Sequence, residues 1–462
     1  MTHPEPQIVA VVLAAGQGTR LRSSLPKVLH PAAGRPLLGW VLRAARTAGC
    51  GDIAVVIGHG AEAVRATFQG ESLSWVLQTE QKGTGHALAQ AESAVRDPGI
   101  MLVLSGDVPL VSPSTLRSLI DSAHGGWGSM AVAELEDPGS LGRVAADEDG
   151  HLRRIVEAAD ASPEELAIGR VNAGLYALPT PEIFSYLRAL KPDNAKGELY
   201  LTDALNAAAG DGRQIELVEL ADPTESWGVN TRIDLGRAHR VLLSRHAETL
   251  MQAGVSILDP SRTTIEATAE VGEDTVIHPG VSLLGKTVVE QGCVLEQGAW
   301  LKDVVVGEGV RIAPYSVLEG AEIADGCQIG PFARLRPGAV VGEGAKVGNF
   351  VEVKKSELGR GVKVNHLAYV GDATIGEGSN IGAGVVTCNY DGHKKSVTRI
   401  GRHVFVGSDT MLVAPVEVGD EAMTAAGSVV TKDVPAGALA VGRSIQRNIA
   451  EWARRYRRRM GR

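Results

Sequence analysis

Between Ile265 and Val418 small aliphatic residues recur in long runs at every sixth position, a period that belongs neither to a helix at 3.6 residues nor to a single strand at 2. Ile265, Val271, Ile277, Leu283, Val289, Leu295 and Leu301 are in phase. The register slips by one residue and resumes at Val306, Ile312 and Leu318. After another slip it runs Ile323, Ile329, Leu335, Val341, Val347 and Val353, and later Ile400, Val406, Leu412 and Val418. A glycine often follows, as in Ile329-Gly330 and Val341-Gly342. A coil of short parallel strands fits this period: each hexapeptide supplies one flat side, the aliphatic residue points to the axis, and Gly, Asn or Asp takes the corner. Three sides close a triangle, so about 18 residues climb one rung. The spacing predicts a left-handed parallel β-helix over 254–445. Its narrow interior accounts for an aromatic content of only 4%. Of the 56 glycines, 30 fall in the 209 residues from Gly254 onward, so the two parts of the chain are built differently. The segment 388–398 breaks the rhythm and must leave the coil as an external loop, a common place for binding residues.

Residues 8–230 alternate strand-like apolar runs with helical stretches, which predicts an α/β domain with a Rossmann-like, mostly parallel sheet. Ile8 to Leu13 reads as a strand buried on both faces, and it empties into Gly16-Gln-Gly18-Thr-Arg20. Such a turn suits phosphate, because glycines let backbone amides approach oxygens while Arg20 and Lys27 add positive charge. It is not the dinucleotide fingerprint, since position 21 is leucine. Alone, the turn is equally a plain strand-to-helix connection. Asp107 follows the run Met101 to Leu104, where open α/β sheets place ligands, and a lone carboxylate there suits Mg²⁺ shared with substrate phosphates. It is also readable as a turn aspartate ahead of Pro109. The string Gly280-Val-Ser-Leu-Leu-Gly-Lys-Thr287 matches a P-loop letter for letter. It lies in the six-residue ladder, so no helix can start at Thr287 and the match is chance.

Thr231 to Gln252 carries Leu235, Ala238, Leu242 and Leu250 at helical spacing, which predicts a linker helix over 231–253. The tail 446–462 is basic; from Arg443 on there are eight arginines and one glutamate. It reads as a solvated or partly disordered end, or as a contact for a polyphosphate. With 46 basic against 54 acidic residues the net charge is −8, which argues against a surface built for nucleic acid. No run of apolar residues is long enough for a membrane span. Met1 to Gln7 lacks a basic stretch, so no signal peptide is expected. Cys50, Cys293, Cys327 and Cys388 show no Cys-x-x-Cys pairing and read as free thiols of a cytoplasmic protein.

Over its full length the chain resembles the bifunctional N-acetylglucosamine-1-phosphate uridyltransferase/glucosamine-1-phosphate acetyltransferase family of bacterial cell-wall precursor synthesis. The resemblance rests on L-A-A-G-Q-G-T-R (13–20), L-P-K-V-L-H (25–30), Q-T-E-Q-K-G-T-G-H-A (78–87), G-D-V-P-L (106–110), G-V-N-T-R (228–232), G-P-F-A-R-L-R-P-G-A (330–339), G-N-F-V-E-V-K-K (348–355), N-H-L-A-Y-V-G-D (365–372), N-I-G-A-G (380–384), T-C-N-Y-D-G (387–392) and V-F-V-G-S-D (404–409). It implies two transferase reactions, with UTP and acetyl-CoA as co-substrates and Mg²⁺ as cofactor. In the nucleotidyltransferase domain (1–230), Asp107 and Asn230 should hold the metal, and Arg20 and Lys27 the triphosphate. Leu13, Ala14, Ala15, Gly16, Gln78, Gly83 and Thr84 should line the nucleotide, with Gln78, Gly83 and Thr84 reading uracil. Gly142, Glu157, Asn172 and Asn230 should hold the sugar phosphate. In the acetyltransferase domain (254–445), His366 stands at the family's base position, while Arg336, Lys354, Tyr369 and Asn380 should bind glucosamine 1-phosphate. Ala383, Asn389, Tyr390, Ser408, Ala426 and Arg443 should border acetyl-CoA, and Glu352 should orient part of the site. A homotrimer with sites in the grooves between coils is implied as well.

The sequence departs from the family at Ser105, where a tyrosine is frequent, at Leu141, where an aromatic is, and at Ala159, where a lysine near the sugar is. These changes bear on sugar contacts more than on the phosphate and metal residues. Two rival readings follow from the same residues. One is a single-activity sugar-phosphate nucleotidyltransferase with a structural or regulatory coil. The other is a scaffold that binds nucleotide sugars without turnover.

Overall fold

The computed structural model describes residues 8–95 and 99–461. The stretch Met1 to Gln7, read above for a signal peptide, lies outside the described residues. The chain divides into two compact units, Met1–Leu243 and Ser244–Arg462.

In the first unit the strand Ile8–Ala14 sits inside a sheet and pairs in parallel with Asp52–Ile57 and Gly99–Ser105. Strand residues alternate faces, so Ala10, Val12 and Ala14 bury against Leu38, Val41 and Leu42 of the helix Leu37–Ala48 and Leu116 and Leu119 of the helix Pro113–Gly125. Val11 buries on the other face with Leu88, Phe184 and Leu205, which come from three further helices. Ser74–Leu77 extends the parallel set. The sheet is mixed rather than purely parallel, because Arg170–Thr180 runs antiparallel to both Gly99–Ser105 and Gly128–Glu134. Since Ile8–Ala14 and Gly99–Ser105 are parallel neighbours, their carboxyl ends open at the same edge. There the Gly106 amide donates to the Leu13 carbonyl at 2.9 Å, which draws the segment around Asp107 next to the glycine turn.

The helix Arg232–Gln252 contains the boundary between the units. Ala238 and Leu242 bury with Leu37, Leu110 and Val229 in the first unit, and Ala247 and Leu250 begin the core of the second.

The second unit is a left-handed parallel β-helix. Strands of two to four residues stack into three sheets of 11, 10 and 9 strands. One inward column runs Ile277, Leu295, Ile312, Ile329, Val347, Val364, Ile381, Val406 and Thr424. The core is built from Ile, Val, Leu, Ala and Cys, with no aromatic side chain among its described members. Most rungs climb 18 or 17 residues; the one from Ile381 to Val406 takes 25 and the one from Met423 to Leu439 takes 16. Each five-residue side contains a residue in the left-handed region: Asp303 (φ 53°) between Leu301 and Val306, Gly320 (φ 53°), Lys355 (φ 44°) and Asp372 (φ 47°). These are the places where the sixfold rhythm slips. Corners are also more varied than Gly, Asn and Asp alone. Tyr315, Phe332, Phe350 and Leu367 all have positive φ, and the three aromatic rings stack at centroid separations of 5.5 and 5.3 Å. The P-loop-like string gives only the strands Ser282–Leu284 and Val288–Val289. In the tail, Trp452–Arg459 is an exposed helix. Among the described residues no helix is long and apolar enough to cross a membrane. Cys50, Cys293 and Cys327 are buried, Cys388 is half-buried, and all four are free.

Candidate active sites

At the carboxyl edge of the first sheet two neighbouring cavities, about 910 and 360 Å³, share Leu13, Thr84, Ser105 and Asp107. The eight residues expected to line the nucleotide (Leu13, Ala14, Ala15, Gly16, Lys27, Gln78, Gly83 and Thr84) all border the smaller one. The four expected at the sugar phosphate (Gly142, Glu157, Asn172 and Asn230) all border the larger, together with Arg20.

The charged centre lies where the cavities meet. Lys27 Nζ contacts the Asp107 carboxylate and donates to Asn230 Oδ1 at 2.8 Å. Arg20 Nη2 donates to the same oxygen at 2.8 Å. The local backbone is arranged for this convergence. Gly18 has φ 63°, and a Cβ there would stand 2.6 Å from Lys27 Cβ, so only glycine lets the lysine stem pass. The Val229 amide donates to the Asp107 carbonyl at 2.9 Å, and Asp234 caps the Asn230 and Thr231 amides, which holds Asn230 beside Asp107. One cation, the Lys27 ammonium, is thus reached by both Asp107 and Asn230. Two hard oxygen donors that converge on one point, with no third carboxylate, fit a Mg²⁺ that takes its remaining ligands from phosphate and water. Among the described residues no cluster of three His, Cys, Asp or Glu forms a self-sufficient metal site.

Glu157 faces the larger cavity and accepts from Thr202 Oγ1 at 2.9 Å. Burial pushes its carboxyl above the ordinary range, and the Thr202 hydrogen bond and the Lys196 charge pull the other way. Asn172 donates from Nδ2 to the Tyr176 hydroxyl at 2.8 Å, and its backbone amide donates to the Gly142 carbonyl at 2.9 Å. Ser105 and Leu141 line the larger cavity, so two of the three departures face the expected sugar. The third, Ala159, borders a hollow with Glu157 and Lys196. A lysine is therefore present there after all, delivered from the 191–200 loop rather than from the segment where the family pattern puts one. Sequence inspection missed it because nothing local marks that loop.

In the second unit the expected residues lie on successive rungs. His366 pairs in register with Asn349, and its Nδ1 lies 2.8 Å from Asn349 Oδ1. An amide oxygen only accepts, so Nδ1 carries a proton, and in the neutral imidazole the lone pair is then on Nε2. Asn349 was not singled out in the sequence, although its distance of 17 residues from His366 is one rung. The Gly384 amide reaches the His366 carbonyl, the Asp409 amide the Ala383 carbonyl, and the Gly427 amide the Ser408 carbonyl. Arg443 Cδ stands 3.8 Å from a Cβ built on Gly427. His366, Ala383, Ser408, Ala426 and Arg443 therefore follow one corner of the coil upward.

On the adjoining face Arg336 donates to Glu352 at 2.9 Å, and Glu352 is the register neighbour of Tyr369. The Glu352 carboxylate holds the guanidinium still more firmly protonated. A Cβ on Gly371 would meet the Tyr369 hydroxyl at 2.4 Å, so glycine is needed for that ring to lie where it does. Asn380 occupies the next rung of the His366 sheet, in register with Lys363. Asn389 is buried and donates to the Asp372 carboxylate, which roots the inserted loop. Tyr390 is exposed and donates to the Gly392 carbonyl at 2.6 Å. The loop also brings in a residue the sequence did not suggest. Lys395 stands beside Lys354, and that neighbouring ammonium lowers its pKa. Two like charges set side by side form a receptor for an anion.

Residues 10–203 match the model of the MobA-like NTP transferase domain, and residues 260–347 match that of the GMPPB C-terminal domain. The chain is 48% identical to the "Bifunctional protein GlmU" of Alkalilimnicola ehrlichii, over 97% of both chains. It is 46% identical to the protein of the same name from Pelobacter propionicus, over 98% of this chain and 99% of the relative. It is 47% identical to that of Chromobacterium violaceum, over 96% and 97%.

Proposed function

This chain belongs to the family of the bifunctional protein GlmU, and from that premise we propose how its two units divide two transferase reactions. It is a bifunctional enzyme. The coil acetylates glucosamine 1-phosphate from acetyl-CoA, and the α/β unit joins the product to UTP, giving UDP-N-acetylglucosamine and pyrophosphate. The observation that carries this reading is the identity over 97% of the chain, which takes in both residue clusters.

In the α/β unit a phosphate oxygen of N-acetylglucosamine 1-phosphate attacks the α-phosphorus of UTP as the bond to pyrophosphate breaks. Little proton transfer is needed, so catalysis rests on placement and charge. Arg20 and Lys27 neutralise the triphosphate, and Lys27 follows the charge that develops on the leaving pyrophosphate. Asp107 and Asn230 would hold Mg²⁺, which when bound would supply charge neutralisation to the phosphates. Gly142, Glu157 and Asn172 hold the sugar in the larger cavity, and Gln78, Gly83 and Thr84 hold the uracil in the smaller.

In the coil His366 Nε2 removes a proton from the substrate ammonium, since only the free amine attacks a thioester. Asn349 fixes the tautomer in which that nitrogen is free. The amine nitrogen bonds to the acetyl carbon, the carbon–sulfur bond breaks, and the second proton that the nitrogen gives up passes to the sulfur, so the coenzyme leaves as thiol. Arg336, Lys354 and Lys395 hold the sugar phosphate, Tyr369 and Asn380 the sugar. Ala383, Asn389, Tyr390, Ser408, Ala426 and Arg443 flank the extended coenzyme along the corner. His366 and Leu367 are exposed on this single chain. A homotrimer whose neighbouring coil covers that corner closes the site, and the stacked Tyr315, Phe332 and Phe350 offer an apolar seam for it. The four free cysteines suit the cytoplasm.

Two variants separate the halves. His366→Ala is expected to lower thiol release from acetyl-CoA by ~10²–10⁴-fold and to leave UTP-dependent pyrophosphate release intact. Asp107→Ala is expected to do the reverse. Loss of both activities in either variant, or of neither, overturns this division of labour.

A further inference from the structure

A carboxamide that reads a base has two orientations; flipped, it offers a donor where it offered an acceptor. We propose that His86 fixes the orientation of the Gln78 carboxamide, and so selects a pyrimidine bearing an N3–H, uracil, over cytosine. This inference rests on the uridylyl-transfer reading of the first unit.

Gln78 is 3% exposed, and its backbone amide donates to the Ile57 carbonyl at 2.8 Å, so the residue is held at the end of the Ser74–Leu77 strand. Its Nε2 lies 3.4 Å from the Gly83 carbonyl oxygen and 2.9 Å from His86 Nδ1. The Gly83 carbonyl is itself anchored, because it accepts the Ala87 amide at 3.1 Å. A carbonyl can only accept, so the nitrogen end of the carboxamide faces it. His86 Nδ1, next to that same nitrogen, is then an acceptor too, and the imidazole proton sits on Nε2. The Gln90 amide nitrogen lies 3.4 Å from that edge of the ring; with the proton on His86 Nε2 both are donors, so Gln90 contributes no hydrogen bond and the ring is held through Gln78.

Both Nε2 hydrogens of Gln78 are thereby engaged, and Oε1 is the polar atom left for a base in the smaller cavity. Uracil brings N3–H to such an acceptor. Cytosine brings an unprotonated N3, whose lone pair would face the oxygen. The Gly83 carbonyl sets which end of the carboxamide is the nitrogen but holds it weakly at 3.4 Å, and the shorter bond to His86 keeps it there. His86 lines neither cavity and acts through Gln78, which makes it a positioning residue.

The test compares the full-length wild type with His86→Leu, His86→Ala and His86→Asn. UTP and CTP are measured in two ways: kcat/KM for pyrophosphate release with N-acetylglucosamine 1-phosphate and Mg²⁺, and equilibrium binding by calorimetry. Leucine and alanine remove the acceptor, and the UTP-over-CTP ratio should fall by ~10-fold, through a higher KM for UTP with kcat nearly unchanged. Asparagine places an amide oxygen near the position of Nδ1 and should restore most of the ratio. A ratio unchanged in the leucine and alanine variants, or equal losses for both nucleotides, overturns the proposal. So does a wild type that binds the two nucleotides alike. A wild type that prefers UTP in binding and releases no pyrophosphate sinks the reaction assigned to this unit, and the binding ratios of the variants then decide the His86 role alone.

Discussion

Lys27 and Asn230 meet across 203 residues of chain, brought together by a sheet edge and by loops that share no repeating pattern. In the coil, His366, Ala383, Ser408, Ala426 and Arg443 are separated by one rung each, at intervals of 17, 25, 18 and 17 residues. A long sheet lets distant segments converge into a cleft with walls on several sides. A coil offers a line of positions at a spacing of ~4.8 Å, suited to an extended ligand. The first arrangement gives enclosure and the second gives length. The coil accordingly leaves His366 exposed, whereas in the first unit Gln78 is buried and Glu157 half-buried.

The contrast can be strained most at the core of the coil. Leu335 is 1% exposed and stacks between Leu318 and Val353. Leu335→Ala should destabilise the second unit by ~3 kcal/mol, read by urea denaturation. It should depress acetyl transfer on warming before uridylyl transfer changes. Equal sensitivity of the two activities would mean that the units do not behave as separate cores.

A smaller effect is expected from the inserted loop. Lys395→Ala removes one of two adjacent ammonium groups and should raise the KM for glucosamine 1-phosphate by ~10-fold or more, as loss of a charge-assisted hydrogen bond does. It should leave the KM for acetyl-CoA nearly unchanged. A shift confined to acetyl-CoA would assign the loop to the coenzyme.

The smallest concerns stability against pH. Burial raises the Glu157 pKa, so between its unfolded and folded values the native state binds more protons than the unfolded chain, and stability falls as pH rises through that window. Glu157→Gln has no such charge. It should therefore gain relative to wild type as pH climbs through and above the ordinary carboxylate range, by a Tm difference of about 2 °C, while binding of the sugar phosphate weakens. A Tm gap that stays constant with pH would show that Glu157 ionises without cost in the folded state.

The coil was legible by counting because one residue on each side sets the phase, and every aliphatic position named from Ile265 to Val418 lies on an inward column. Asn349 was within reach of the same counting, had His366 been stepped back by a rung. The rung length was less plain. Asp303 and Lys355 absorb a residue by left-handed turns that L side chains seldom adopt, and composition does not announce them. In the α/β unit the strands and the glycine turn could be read locally. The antiparallel strand Arg170–Thr180 could not, because strand direction follows from the path of the connections. Nor could Lys196 or Lys395 be found, since each arrives on a loop whose course is set by tertiary contacts such as Asp160 with Ala195, or Asn389 with Asp372.

The 25-residue turn of the coil has a consequence for how such a molecule can diversify. Ala373 still pairs with Thr398, and Thr387 with Leu412, so the extra residues are spliced out of the ladder without disturbing its pitch. An excursion at a corner is invisible to the stack above and below, whatever its length, provided that the chain re-enters in phase. New recognition chemistry can thus be grafted at any storey of the column while the fold that carries it stays unaltered.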